Sequence, residues 1–492
     1  MASSKNLIVI GSGFAGLSAA SFLAKAGHRV TLLEKNATPG GRARQLIENG
    51  YTFDMGPSFY WMPDVFDRYF AQFGKKVSDY YALHRLDPSY RVYWSDGHTD
   101  LPADYTQLQQ VFESLEPGSA KQLDQFLKEA AYKYEVGVNR LVYKPGRSLL
   151  EFMDWETISG VFKLQVFTAI SKHIAKFFKH PKLRQLMEFP VLFLGALPQD
   201  TPALYSLMNY ADIKGGTWYP EGGMYAIVQA MYDLAVELGV EFKFNEPVQA
   251  IRVINRKATE VVTAHATYTA DAVISGADYE HTEQALLAPE YRTYSKPYWK
   301  KRVMAPSCLM YYVGLNKKLK NIQHHSLFFD VPFAPHGVEI YKKPGWPKAP
   351  LFYVSVSSLT DPNVAPAGHE NIVFLIPIAS GLEGDTEELR EHYFQIIAKR
   401  MEQHLGESIL DAVVYKKMYS VRDFKADYNS FQGNAYGLAN TLLQTAILRP
   451  ACKSKKVSNL FFTGQLTVPG PGVPPSLISG EVVAGEVIKS LG

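Results

Sequence analysis

The segment "NLIVIGSGFAGLSAASFLAKAGHRVTLLE" (6–34) leaves a chain little freedom in how it folds. Residues 7–10 are a short apolar run of the kind buried on both faces of a parallel sheet. Gly11, Gly13 and Gly16 follow as G-x-G-x-x-G, with Phe14 and Ala15 opening a helical stretch. The first glycine suits a tight turn, the second a close approach of a pyrophosphate to the backbone, the third close packing of helix on strand. A helix starting near Gly13 would turn unpaired N–H groups and its positive dipole end towards the phosphates. The second strand closes at Glu34, 18 residues beyond Gly16, where a carboxylate can accept from a ribose hydroxyl; Lys35 stands next to it. The unit reads as strand, turn, helix, strand around a dinucleotide. Its uncharged stretch 7–24 could pass for a signal peptide or a membrane span. Three glycines and the charged strand that follows argue against both, and no other uncharged run approaches the ~20 residues a spanning helix needs.

Three later segments have the character of the same nucleotide domain. Residues 215–251 offer a glycine-rich turn, a long amphipathic helix and short strands, the last near Val248. "DAVISGAD" (271–278) is an apolar strand ending in Gly276 and Ala277, and "VSNLFFTGQ" (457–465) is another, with Gly464 near its end. Small residues at strand ends suit a crevice in which a cofactor lies against the backbone. The fold class is therefore α/β: a discontinuous Rossmann-type domain with an inserted mixed-sheet substrate domain and a helical, membrane-facing subdomain. The expected boundaries are 1–89, 215–289 and 456–492 for the nucleotide domain, 90–140 and 290–455 for the substrate domain, and 141–214 for the helical subdomain. Within the last, 157–187 carries Lys163, Lys172, Lys176, Lys179, Lys182 and Arg184 among Val161, Phe162, Leu164, Phe167, Ile170, Ile174, Phe177 and Phe178, without Asp or Glu. Such a segment, followed by "FPVLFLGALP" (189–198), suits an anionic membrane surface. "CLMYYVGLN", "LFYVSVSS" and "NIVFLIPIA" alternate apolar and polar residues, as a mostly antiparallel sheet does.

The net charge of +3 is too small to argue for nucleic acid. Two cysteines, Cys308 and Cys452, make no disulfide framework and fit a reducing, cytoplasmic compartment. No H-E-x-x-H, C-x-x-C or G-x-S-x-G motif is present, so no metal site is expected, and His324-His325, flanked by polar residues, reads as a surface pair. The catalytic residues stay unassigned; the chemistry should belong to a bound cofactor, with the protein supplying binding and orientation.

After Lys35 come Gly40-Gly41-Arg42, "GYTFDMGPS" (50–58), "WYPEGGM" (218–224), "ISGAD" (274–278) and "FFTGQLTVPGPGVPPSLISG" (461–480). In this order the chain resembles, end to end, the bacterial-type carotenoid desaturases of the flavin amine oxidase superfamily, typified by phytoene desaturase. The resemblance implies non-covalent FAD, with Gly41 and Arg42 along the pyrophosphate and ribityl chain, Gly56, Pro57 and Ser58 beyond them, and Pro469, Gly470, Gly472, Val473 and Pro474 facing the flavin. It implies removal of hydrogen from an acyclic C40 carotene taken from a membrane to which the protein is peripherally attached, with oxygen or a quinone as electron acceptor. Val468 stands where the family more often has a histidine, which gives no ground for assigning a base there. Phytoene-type desaturation, 3,4-desaturation of a later, hydroxylated carotenoid, and cis-trans isomerisation share this architecture. An amine or protoporphyrinogen-type oxidase, or an escort protein that has lost its flavin, are the readings from other classes. The loop "PGPGVPP" (469–475) can neither pair in a sheet nor enter a helix interior. It is expected to join the last strand to a helix beginning near Pro475 or Ser476.

Overall fold

The computed structural model describes residues 4–148, 151, 164–192 and 195–492. A five-stranded parallel sheet gathers segments from across the chain, in the order Leu460–Phe462, Ala272–Ser275, Asn6–Ile10, Arg29–Leu33, Glu241–Lys243. The first strand lies at its centre, with Leu7 opposite both Val30 and Ala272. Its apolar run is buried on both faces, as a parallel sheet covered by helices requires. The first helix, Phe14–Lys25, packs against the C-terminal helix, Val473–Leu491. The two approach so closely that a Cβ at Gly480 would stand 2.5 Å from the Ala15 carbonyl oxygen. The Ser18 hydroxyl spans the same contact, donating to the Leu477 carbonyl at 2.8 Å.

A second sheet has seven strands, ordered Val413–Tyr419, Ser307–Leu315, Glu370–Ile378, Phe352–Ser355, His325–Phe328, Tyr90–Trp94, Gly97–Leu101. All neighbours are antiparallel except His325–Phe328 with Tyr90–Trp94. The strand Ser307–Leu315 is buried at every position. Both faces are covered. Leu309, Tyr311 and Val313 pack with Phe394 and Ile397 of the helix Glu387–Leu405. Cys308, Met310 and Tyr312 join the large core shared with the nucleotide sheet. That helix is well delimited: the Thr386 hydroxyl accepts from the Leu389 N–H, and Gly406 closes it at φ +69°.

The helical region contributes Tyr105–Leu115, Ser119–Val136, Ile170–Phe177 and Pro181–Leu192. Most of the apolar positions described in the basic segment face the core. Leu164, Ile170, Ile174 and Phe178 are buried, and Phe126 packs against Phe177 and Phe178. Phe189, Val191, Ala196 and Leu197 are buried as well. Amphipathic spacing cannot by itself distinguish a face turned to lipid from one turned to a core. Phe167, 84% exposed, is the exception. Val161, Phe162, Lys163 and residues 193–194 lie outside the described residues. Buried Lys133 ties the helices together, donating to Gln165 Oε1 (3.0 Å), Ser206 Oγ (3.0 Å) and the Ala203 carbonyl (3.1 Å); desolvation lowers its pKa to about 8.

Candidate flavin and substrate site

The glycine turn sits at the carboxyl end of the central parallel strand. Gly11 adopts φ +90° and donates its N–H to the Leu33 carbonyl at 2.8 Å. A Cβ at Gly16 would fall 1.9 Å from the Gly11 carbonyl oxygen, so only glycine lets the helix close on the strand. At Gly13 a Cβ would meet nothing within 4 Å. Gly41 closes one side, its Cβ position 3.3 Å from the Gly13 Cα, and the Gly40 N–H donates to the Ser12 carbonyl at 2.9 Å. Gly11, Gly13 and Gly41 thus form a backbone-walled cradle with space left at Gly13, the fit a pyrophosphate requires.

Glu34 is buried, and its Oε2 accepts from the Ser12 N–H (2.9 Å) and hydroxyl (2.7 Å). Oε1 accepts from the Asn36 N–H (2.9 Å) and amide (3.0 Å). Glu246 donates its N–H to the Glu34 carbonyl (2.8 Å), bringing Val248 alongside. Lys35 points elsewhere, donating to the Ala426 carbonyl at 2.8 Å. Ala277 closes the cradle from the next strand, its N 3.4 Å from the Gly11 Cβ position, and Gly464 brings a positive φ to the end of the last strand. Arg42 donates to the Ser430 hydroxyl (3.0 Å) and the Asn434 carbonyl (3.3 Å), with Gln465 in reach. Its Nε is buried without a partner, and burial lowers the pKa of the guanidinium, with nearby Asp278 opposing.

A Cβ at Gly56 would stand 2.2 Å from the Arg42 carbonyl oxygen, and Gly56 and Ser58 line a cavity against the seven-stranded sheet. Met310, Tyr353, Val373 and Leu375 line it together with Tyr219 and the polar Asp54, His324, Ser355 and Ser357. Asp54 accepts from the N–H groups of Met224 (2.8 Å) and Tyr225 (3.1 Å), joining "FDMG" to "PEGGM", and burial raises its pKa to about 6. Beside the cavity Phe59 is ringed by Trp61, Tyr90, Phe189, His325 and Tyr353, with centroids 4.1–6.2 Å away. The surface reading of His324 and His325 is overturned. Both are buried, and burial lowers both pKa values, His324 to about 3. Polar neighbours in sequence misled because His325 begins, and His324 directly precedes, a strand buried at every position.

The last helix begins at Val473, earlier than the sequence suggests, so Pro474 and Pro475 lie in its first turn, where a missing N–H is harmless. Ser476 donates to the Gly472 carbonyl at 3.0 Å. The N–H of Val473 is thus the first-turn donor left without an acceptor among the described residues. Gly470 and Gly472 have φ +143° and +112°. Arg449, which sequence reasoning passed over, holds this loop from beneath. Buried among carbonyls, it donates to Thr467 (2.8 Å), Gln444 (2.9 Å), Gln465 (3.1 Å) and Leu438 (3.3 Å), and to Asn440 Oδ1 (2.8 Å). Burial lowers its pKa to about 10, which leaves it charged at neutral pH.

Ser12 and Gly480 were missed too. Each acts through a partner distant in the chain, Glu34 for the one and Ala15 for the other, and carries no local motif. Asn36 had a signal: a polar side chain two residues past the strand-end carboxylate it donates to.

Among the described residues no three His, Cys, Asp or Glu side chains gather as a metal site needs, and no helix is long and apolar enough to cross a membrane. A backbone cradle at the carboxyl ends of parallel strands suits a dinucleotide cofactor such as FAD. The model of the flavin-containing amine oxidoreductase family matches residues 14–488. The carotenoid 3,4-desaturase of Haloarcula japonica is 41% identical, covering 99% of both chains. The zeta-carotene-forming phytoene desaturase of Myxococcus xanthus is 31% identical, covering 97% of this chain and 93% of its own. Among solved structures, an oxidoreductase from Methanosarcina mazei shares the fold at a TM-score of 0.64 and 16% identity, covering 98% of this chain and all of its own. The chain belongs to the carotenoid desaturases of the flavin-containing amine oxidoreductase family.

Proposed function

We propose that this protein is an FAD-dependent desaturase that introduces double bonds near the end of an acyclic C40 carotenoid. The aromatic ring set around Phe59, closed over the seven-stranded sheet, carries the reading: it suits a conjugated hydrocarbon, whose binding must come from apolar burial at roughly 25 cal/mol per Å². The cradle at Gly11, Gly13 and Gly41 would hold the pyrophosphate, Glu34 the ribose end, and Gly470 to Val473 the flavin ring. Bound FAD would supply the acceptor for two electrons. The chain's own part is to orient the carotenoid and exclude water, and to offer the Val473 N–H to negative charge. Substrate held in a bilayer implies a peripheral membrane encounter, for which exposed Phe167 and Leu443 (78% exposed) are candidate contacts. Electrons would leave to oxygen or a quinone.

Anaerobic mixing of the holoenzyme with carotene-loaded liposomes should bleach the oxidised flavin spectrum, and pigment analysis should show a longer polyene. Flavin that stays oxidised with phytoene, lycopene and end-hydroxylated carotenes alike would refute the reading. An altered cis-trans ratio without bleaching would favour isomerisation instead.

A further inference from the structure

Glu34 is buried just past the strand Arg29–Leu33, and a carboxylate has about four lone-pair positions to fill. The chain fills all of them itself. Oε2 accepts from the N–H and hydroxyl of Ser12 (2.9 and 2.7 Å), and Oε1 from the N–H and side-chain amide of Asn36 (2.9 and 3.0 Å). The four donors differ in freedom. The two N–H groups lie on backbone that is tied down on its other side: the Ser12 carbonyl accepts from the Gly40 N–H (2.9 Å), and the Asn36 carbonyl from the Asn245 N–H (3.1 Å). The Ser12 hydroxyl and the Asn36 amide hang on rotatable side-chain bonds. Among the described residues each donates to Glu34 alone.

We propose that the side chains of Ser12 and Asn36 stand in for the ribose, and that the cis-diol of the adenosine ribose takes their two places on Glu34 when the dinucleotide binds. This rests on the placement of the ribose at Glu34 given above. A carboxylate already holding four donors takes a hydroxyl only if a donor leaves. The exchange is one for one: a cis-diol brings two O–H donors, the number that two side-chain rotations free, while the two backbone N–H groups stay and keep the carboxylate aimed. Ser12 adjoins Gly13, where a Cβ would meet nothing within 4 Å, so a nucleotide seated in the cradle arrives beside the carboxylate. The buried charge is satisfied before and after, which avoids the penalty of an unpaired carboxylate. The same device makes Ser12 and Asn36 competitors of the cofactor, and so determinants of its affinity.

The test titrates the full-length chain, freed of flavin, with FAD and with an FAD analogue lacking both hydroxyls of the adenosine ribose, following flavin fluorescence. Ser12→Ala and Asn36→Ala each remove one competing donor. Each should bind FAD several-fold more tightly than wild type, and each should lower the melting temperature of the flavin-free chain more than that of the FAD-loaded one. The analogue leaves the stand-ins in place, so it should bind wild type and variants alike. If one variant does not fold, the other decides. FAD affinity that falls or stays unchanged would overturn the proposal, since side chains that merely support the carboxylate give that sign. A gain shared equally by FAD and the analogue would overturn it too. A crystal structure of the FAD-loaded enzyme separates the two ways of failing. A ribose bonded to Glu34 with both side chains still on the carboxylate fells this inference alone, and a ribose bound elsewhere fells the placement with it.

Discussion

The two sides of the site are specified by different parts of the chain. The nucleotide side is backbone meeting backbone: Gly16 against the Gly11 carbonyl, Gly56 against the Arg42 carbonyl, Gly480 against the Ala15 carbonyl. The facing side is side chain meeting side chain, with Phe59, Tyr90, Phe189, His325 and Tyr353 drawn from five separate segments. A cofactor common to many enzymes can be held by atoms every residue has. A substrate peculiar to one enzyme needs groups that differ. Changes on the first side should therefore remove the cofactor, and changes on the second should retune the enzyme around it.

The largest effect should come from Gly16→Ala, whose methyl has nowhere to go. Stability should fall by about 3 kcal/mol or more, with little FAD retained, read by thermal melting and flavin absorbance. Arg449→Met should come next. Four carbonyls lose their donor, so about 2–3 kcal/mol should be lost, and flavin should release faster as the loop beneath Gly470 loosens. Gly472→Leu must adopt φ +112°, at about 1–3 kcal/mol of strain. The fold should persist by circular dichroism while flavin content or turnover drops roughly 100-fold; unchanged turnover would break the assignment of this loop to the cofactor.

Asp212, on the substrate side, should give the mildest effect on the cofactor. Its carboxyl accepts from the Tyr90 hydroxyl at 2.8 Å, and burial raises its pKa to about 7, well above the usual carboxylate range. The folded state thus holds a proton that the unfolded state releases, so this group's contribution to stability falls as pH rises from about 4 to about 7. Asp212→Asn removes that loss. Relative to wild type, the variant should gain stability across this window, by at most about 4 kcal/mol at about 1.4 kcal/mol per tenfold change in proton affinity. Melting curves at several pH values would show a flat difference if the carboxyl were already ionised in the fold. Flavin content should match wild type throughout.

The same contrast explains what could be read in advance. Gly11, Gly13, Gly16 and Glu34 were legible because a phosphate turn needs fixed residue types at fixed spacing within one βαβ unit. The strands 307–315, 352–355 and 370–378 were legible as runs of β-forming residues. Their double-sided burial was not, because alternation reports one neighbouring layer and the second comes from a helix farther along the chain, at 387–405. His325 was misread and Arg449 overlooked for one reason. A buried polar residue is marked by its distant partners, here Tyr353 and Thr467, and by nothing beside it in the chain. The apolar positions at 164–178 carried a real helical pattern whose burying surface the sequence does not name.

The contact between the first and last helices has a consequence for how the protein is made. Strand Leu460–Phe462 borders the parallel sheet, and Gly480 rests on Ala15. A chain emerging from the ribosome therefore displays its glycine turn hundreds of residues before the wall that completes it exists. Until then the turn is an open shelf, without the helix that packs against it in the finished fold.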